Sequence, residues 1–120
     1  MSVEPPRPGV LRIAATVLED RGLDSTIAPM FARAPFVALI DTASGEIVDA
    51  KIIPNAFANA PQGAGMGFAQ WLVQVGVRIV LGSNIGPNAA MALQQAGIRI
   101  HNVPAGTRLR DALRSLGLIR

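Results

Sequence analysis

The stretch Val77-Arg78-Ile79-Val80-Leu81-Gly82-Ser83-Asn84-Ile85-Gly86-Pro87 passes from a β-branched apolar run through a tight loop to a proline. Residues 77–81 have the composition of a buried strand. Pro87 suits the first position of a helix, where its fixed φ fits and its missing N–H would have had no partner. The helix expected over 88–96 is short, rich in alanine and closed by Gly97. Ile98-Arg99-Ile100 reads as the next strand. Strand, helix and strand in so short a span make the two strands parallel, joined by a right-handed crossover.

Upstream the same logic extends the sheet. Leu11 to Val17 is an apolar run bounded by Pro8-Gly9 and by Glu19-Asp20-Arg21-Gly22, a first buried strand. Residues 36–41 and 46–53 flank Thr42-Ala43-Ser44-Gly45, a turn with glycine where a positive φ is cheap, so they form a hairpin. Alternation along the hairpin's second strand is broken at Ala50, and Pro54 is expected to stop it. Residues 54–67 are a loop rich in Asn, Ala, Gly and Pro. A helix over 64–75 follows, with Phe68, Ala69, Leu72 and Val73 on one stripe and Gly76 at its end. Downstream, Thr107 is placed to cap a last helix with Leu109, Ala112, Leu113 and Leu116 as its apolar stripe. The expectation is a single α/β domain over 10–120: a mixed five-stranded sheet with flanking helices. It carries no internal repeat and no linker, and residues 1–9 read as a flexible leader.

Composition narrows the function. A chain of 120 residues, half of them hydrophobic, can bury one core. No apolar run reaches the ~18 residues of a membrane helix, and no signal core stands at the N-terminus, so the cytoplasm is the expected location. The absence of cysteine excludes disulfides, zinc–thiolate sites and Cys-ligated iron–sulfur clusters. Net charge is +3, divided into −2 over residues 1–60 and +5 over 61–120, where Asp111 is the one acid. Arginine supplies ten of the eleven cations, a fork of donors suited to oxyanions. That basic half is either a solvated surface or a face for an anionic ligand or an acidic protein partner. Nucleic acid is a poor match, because aromatics are 4% of the chain and no stacking set is visible.

Ligands of open α/β sheets bind beyond the carboxyl ends of the parallel strands. Three loops should meet there: 24–33, 55–67 and 82–87. Gln62-Gly63-Ala64-Gly65-Met66-Gly67 and Asn84-Ile85-Gly86 each open a helix, so their backbone N–H groups and small residues suit an anion. The same residues also suit plain tight turns. The first lacks the Gly-Lys-Ser/Thr of a phosphate loop and the glycine spacing of a dinucleotide fingerprint. Arg33 can clamp an anion or pair with Asp24 or Asp41. Met30 and Met66 are soft thioethers able to touch copper or sulfide, or simply plugs of apolar surface. His101, the single histidine, ends the last strand, as a metal ligand or as an ordinary strand-end residue. Catalysis is not expected. No serine has a base other than His101, no Gly-x-Ser-x-Gly elbow is present, and the carboxylates are too few for two metals.

Phe31-Ala32-Arg33-Ala34-Pro35-Phe36, Gln62-Gly63-Ala64-Gly65 and Gly82-Ser83-Asn84-Ile85-Gly86-Pro87 resemble the fingerprint of the dinitrogenase iron–molybdenum cofactor biosynthesis family, over about residues 10–117. That family includes nitrogenase accessory factor-like proteins and the molybdenum–copper orange proteins. Many members carry His where this chain has Met30 and Gln62, and Gly where it has Ala32. The resemblance implies a ribonuclease-H-like arrangement. It implies non-covalent binding of an anionic, molybdenum-containing sulfide cluster, of the iron–molybdenum cofactor or Mo–Cu orange-protein type, as carrier, storage or assembly accessory. The residues it points to are Met30, Arg33, Gln62, Gly63, Ala64, Gly65, Met66, Asn84 and Gly86, with Met30, Met66 and His101 as the candidate metal contacts. The alternative is an interaction or regulatory module of the same fold that has lost metal binding.

Overall fold

Strand β1 (Leu11–Val17) is buried from Arg12 to Val17, because it has a neighbour on each side and cover on both faces. The computed structural model describes residues 3–120. β1 pairs antiparallel with β2 (Phe36–Ala43), which pairs antiparallel with the edge strand β3 (Glu46–Pro54). On its other side it pairs parallel with β4 (Ile79–Gly82), and β4 pairs parallel with β5 (Arg99–Asn102). The sheet order is β3-β2-β1-β4-β5, the mixed five-stranded sheet that the sequence implies.

The helices divide between the two faces. Helix α1 (Ala64–Gln74) and helix α2 (Pro87–Gln95) cover Ala14, Val37, Leu39 and Val80 with Phe68, Leu72 and Leu93. Trp71 stacks on Phe68 at 6.2 Å inside this layer. Helix α3 (Leu109–Ser115) covers Ile13, Ala15, Ile40 and Leu81 with Leu109 and Leu113. Burying a Leu or Phe side chain contributes about 1.5–3 kcal/mol, so the two layers supply the main stabilisation.

Several local features have identifiable physical reasons. Asp41 faces Asp49, whereas its neighbour Thr42 faces Ile47, so Val48 is an extra residue on β3. This bulge is why alternation fails along that strand. Pro54 is the last residue of β3, at the sheet edge, where proline is tolerated. Ser44 and Gly45 both have positive φ, as a two-residue primed turn requires. Thr107 does not cap α3: Arg108 occupies the cap position with no side-chain bond, and the Thr107 hydroxyl donates to the Pro104 carbonyl instead. Of the leader expected over 1–9, Met1 and Ser2 lie outside the described residues. The rest lies along the domain, with the Glu4 carbonyl accepting from Arg12 and Pro6 close above Gly76.

Arg12 is the polar centre at the amino end of β1. Its Nε and Nη2 meet both carboxylate oxygens of Asp41 at 2.8 and 3.0 Å, across the β1–β2 register. Nη1 donates to the carbonyls of Glu4 and Val75. A buried charge with its donors so fully used is stable, whereas removing one partner strands the other.

At the opposite end, Glu19 accepts from the Thr26 amide and hydroxyl, both at 2.8 Å, fixing the excursion between β1 and β2. These bonds, the backbone one foremost, hold the Glu19 carboxyl below its ordinary value of 4.5. A depressed carboxyl pKa adds stability above the ordinary value, and that stability is lost as pH falls through the folded-state value. Thermal unfolding at pH 7 and at pH 3 should therefore show the wild-type advantage over Glu19→Gln narrowing at the lower pH. An advantage that is constant or grows on acidification would exclude this role for Glu19.

Candidate functional site

Beyond the carboxyl ends of β1 and β4 lies an open hollow of about 330 Å³. Its walls are the 30–33 loop, the first turn of α1 at Gly65, and the run from Asn84 through Gly86 into the first turn of α2. The volume lies at the lower end of small-ligand pockets.

Its floor is aromatic. Phe31 lines the hollow and packs on Phe68 at 5.0 Å between ring centres. Phe31 also lies directly over Gly82, where a Cβ would stand 2.9 Å from its ring. Gly82 is thus required by close approach, which lets the first wall settle onto the end of β4.

Side-chain amides tie the walls together. Buried Asn55 donates to the carbonyls of Ala32 and Ala34, both at 2.9 Å, and accepts from the Phe57 amide. Asn84 has a φ of 55°, a left-handed conformation that Asn tolerates, and its Nδ2 reaches the Pro29 carbonyl at 2.7 Å. Arg33 is exposed at the hollow, and its Nη1 donates to the carbonyls of Ala58 and Ala60 at 3.2 and 2.7 Å. The pairing of Arg33 with Asp24 or Asp41 does not occur, since Asp24 meets Arg110 and Asp41 meets Arg12.

Both helices begin without a side-chain cap. Gly63, in the left-handed region, precedes α1, and Gly86 precedes α2. The first intrahelical bonds run from Gly67 to Gly63 and from Ala90 to Gly86, each 2.9 Å. The amides of Ala64, Gly65, Met66, Asn88 and Ala89 precede them and have no intrahelical acceptor. Helix N-termini carry a partial positive charge. Among the described residues, Arg33 is the one charged residue lining the hollow, and no carboxylate lines it. The arrangement therefore suits an anion better than a cation, and the Met30 thioether lines the same space.

Met30, Arg33, Gly65, Asn84 and Gly86 come together at the hollow. Gln62, Gly63, Ala64 and Met66 belong to the entry into α1 but do not line it: Ala64 is buried, and the other three are exposed beside it. His101 stands on β5 opposite Leu81, on the α3 side of the sheet. Among the described residues, no three His, Cys, Asp or Glu side chains cluster as a metal site. Pro87, Asn88 and Ala89 also line the hollow, and the placement of Pro87 at the helix start was the available signal for them. Asn55 had none, because its partners lie more than 20 residues away in sequence.

The family profile described as dinitrogenase iron-molybdenum cofactor matches residues 12–117. The chain belongs to this family. It is similar in structure to the apo form of the orange protein from Desulfovibrio gigas, at 34% identity over 88% of this chain and 85% of that one, with a TM-score of 0.77. It is also similar to a NifB-like protein from Thermotoga, at 30% identity over 88% and 86% of the two chains, with a TM-score of 0.70. An uncharacterized protein of Methanocaldococcus jannaschii is 30% identical over 78 residues, 65% of this chain and 66% of that relative. No helix among the described residues is long and apolar enough to cross a membrane.

The wall contacts make two stability predictions. Asn55→Ala should cost about 2–4 kcal/mol, since two carbonyls and an amide lose their partner in a buried place. Gly82→Ala should cost about 1–3 kcal/mol through displacement of Phe31. Urea unfolding of the two variants tests both values, and wild-type midpoints would show that these contacts do not hold the walls.

Proposed function

We propose that the protein is a non-catalytic accessory that carries an anionic, molybdenum-containing sulfide cluster as cargo in this hollow. The observation that carries the reading is the convergence of two uncapped helix N-termini and Arg33 on a space without a carboxylate. Such donors suit a delocalised anion better than a bare cation. The sulfide-rich surface of a cluster suits the Met30 thioether. With neither thiolate nor imidazole at the hollow, the cargo is held by charge and shape and not by a cage of ligands. Family membership and likeness to the orange protein support a molybdenum–copper sulfide or iron–molybdenum cofactor-like cargo.

Anaerobic mixing with tetrathiomolybdate, with and without copper(I), followed by desalting, tests the reading through the visible spectrum and the metal content. A stoichiometric coloured species should remain with the protein. Arg33→Ala should weaken its retention about tenfold, the loss of one charged hydrogen-bonding group. Gly65→Leu should weaken it further, by filling the hollow from the α1 side. A copper requirement would favour the Mo–Cu type. Colour that leaves entirely with the salt would sink the cargo reading.

A second reading has its own observation. Arg99, Arg108 and Arg114 are exposed and form no ion pair among the described residues, whereas Arg110 and Arg120 are paired. These free cations suit an acidic protein partner, a cluster acceptor among them. The double charge reversal Arg108→Glu, Arg114→Glu should leave tetrathiomolybdate retention unchanged if the two surfaces are separate.

A further inference from the structure

The outward sides of α1 and α2 are unlike ordinary solvent-facing helices. None of the 11 residues of α1 or the 9 of α2 is charged. A surface helix normally carries charged residues opposite its apolar stripe. Helix α3, of only seven residues, carries Arg110, Asp111 and Arg114.

What α1 and α2 expose instead is ordered. On α1, Met66, Gln70, Val73 and Gln74 are exposed, at the spacing of a single stripe. On α2, Asn88, Met91 and Gln95 repeat the pattern. Met66 and Val73 are each 43% exposed and Met91 is 59% exposed, although the sequence has ample polar residues to place there. The two helices pack side by side over one face of the sheet, so both stripes lie on the same outer side of the domain. Loss of charge with retention of methionine is the composition of an interface core.

The occupant follows from the chemistry of the stripe. A Gln or Asn amide is both donor and acceptor, so a face of amides is complementary to its own copy. Methionine and valine pack on themselves equally well. A chain of net charge +3 repels its copy wherever its arginines meet, and this neutral face is where two copies can join without that penalty. We infer that the outer face of α1 and α2 is a self-association surface, joining two copies about a two-fold axis.

The size of the face sets the strength. Helices of 11 and 9 residues are roughly 16 and 13 Å long, and side by side they offer a few hundred Å² per copy. That is below the area of a stable dimer, so self-association should be weak, to be sought at protein concentrations of about 10–1,000 μM. The first turns of both helices also border the hollow, so a copy seated here stands at its mouth.

Sedimentation equilibrium across that concentration range gives the test. The mass should rise from monomer towards dimer. Met91→Lys and Val73→Lys should each hold the protein at monomer mass, with unchanged circular dichroism. Arg114→Glu, on α3, should dimerise at least as well as wild type. Dilution should move the Met66 and Met91 methyl resonances before any other methionine. A monomer mass throughout would overturn self-pairing and leave the face to a different protein. Dimerisation undiminished in both lysine variants, or dilution shifts confined to the Met30 methyl, would place the contact elsewhere and overturn it too.

Discussion

The parallel pairing of β1 with β4 is the constraint on which the rest of the structure depends. β1 has β2 on one side and β4 on the other, and neither of its faces meets water. A strand in that position is apolar along its length and needs helices above and below it. A parallel partner cannot be reached by a tight turn, so the chain must cross the sheet before β4 and again before β5. Each crossing returns the chain to the amino end of the next strand. Both crossing helices, α1 and α2, therefore begin at the carboxyl rim and lie on one face of the sheet. The meeting of two helix N-termini at the hollow follows directly from this pairing.

Building such a rim has a cost that the sequence meets with glycines and amides. Loops that converge leave carbonyls pointing at one another. Here Asn55, Asn84 and Arg33 each donate to carbonyls of a neighbouring loop: Ala32 and Ala34, Pro29, and Ala58 and Ala60. Gly82 lets Phe31 descend onto the strand end, which joins the rim to the aromatic core below it. Arg33 belongs to both systems. One nitrogen of its guanidinium bridges two carbonyls, and the residue also lines the hollow. A guanidinium has five N–H donors, so the two used by this nitrogen leave three others.

Most of the fold was legible because its signals are local. The run through 77–87 contains its strand, its loop and its helix start, and β4 and α2 lie within one or two residues of their expected limits. The parallel order followed from connection length alone. The features that escaped are those whose cause lies far off in the chain. Arg12 sits inside an apolar strand, and its partner Asp41 is 29 residues away. Asn55 looks like any loop asparagine until its two carbonyls are in place. The Val48 bulge answers to register with β2 and not to the composition of β3. At the rim, the sequence showed which loops would meet but not which side of a loop would face inward. Met30 lines the hollow and Met66 does not, although either thioether could have been the inward one.

The face of His101 sets that residue apart from the hollow. A histidine that ends a strand next to the site strand could have pointed either way, and the pleat decides which. Its register partner Leu81 packs under α3, so the imidazole belongs to the α3 side while both helix N-termini open on the other. Among the described residues that line the hollow, Arg33 is the one that carries a charge. The hollow therefore presents the fixed partial charges of two helix N-termini and one guanidinium. The wall that Asn84 ties to Pro29 and the wall that Arg33 ties to Ala58 and Ala60 are fastened by side chains and not by a strand ladder, so they are the parts of the rim able to give way.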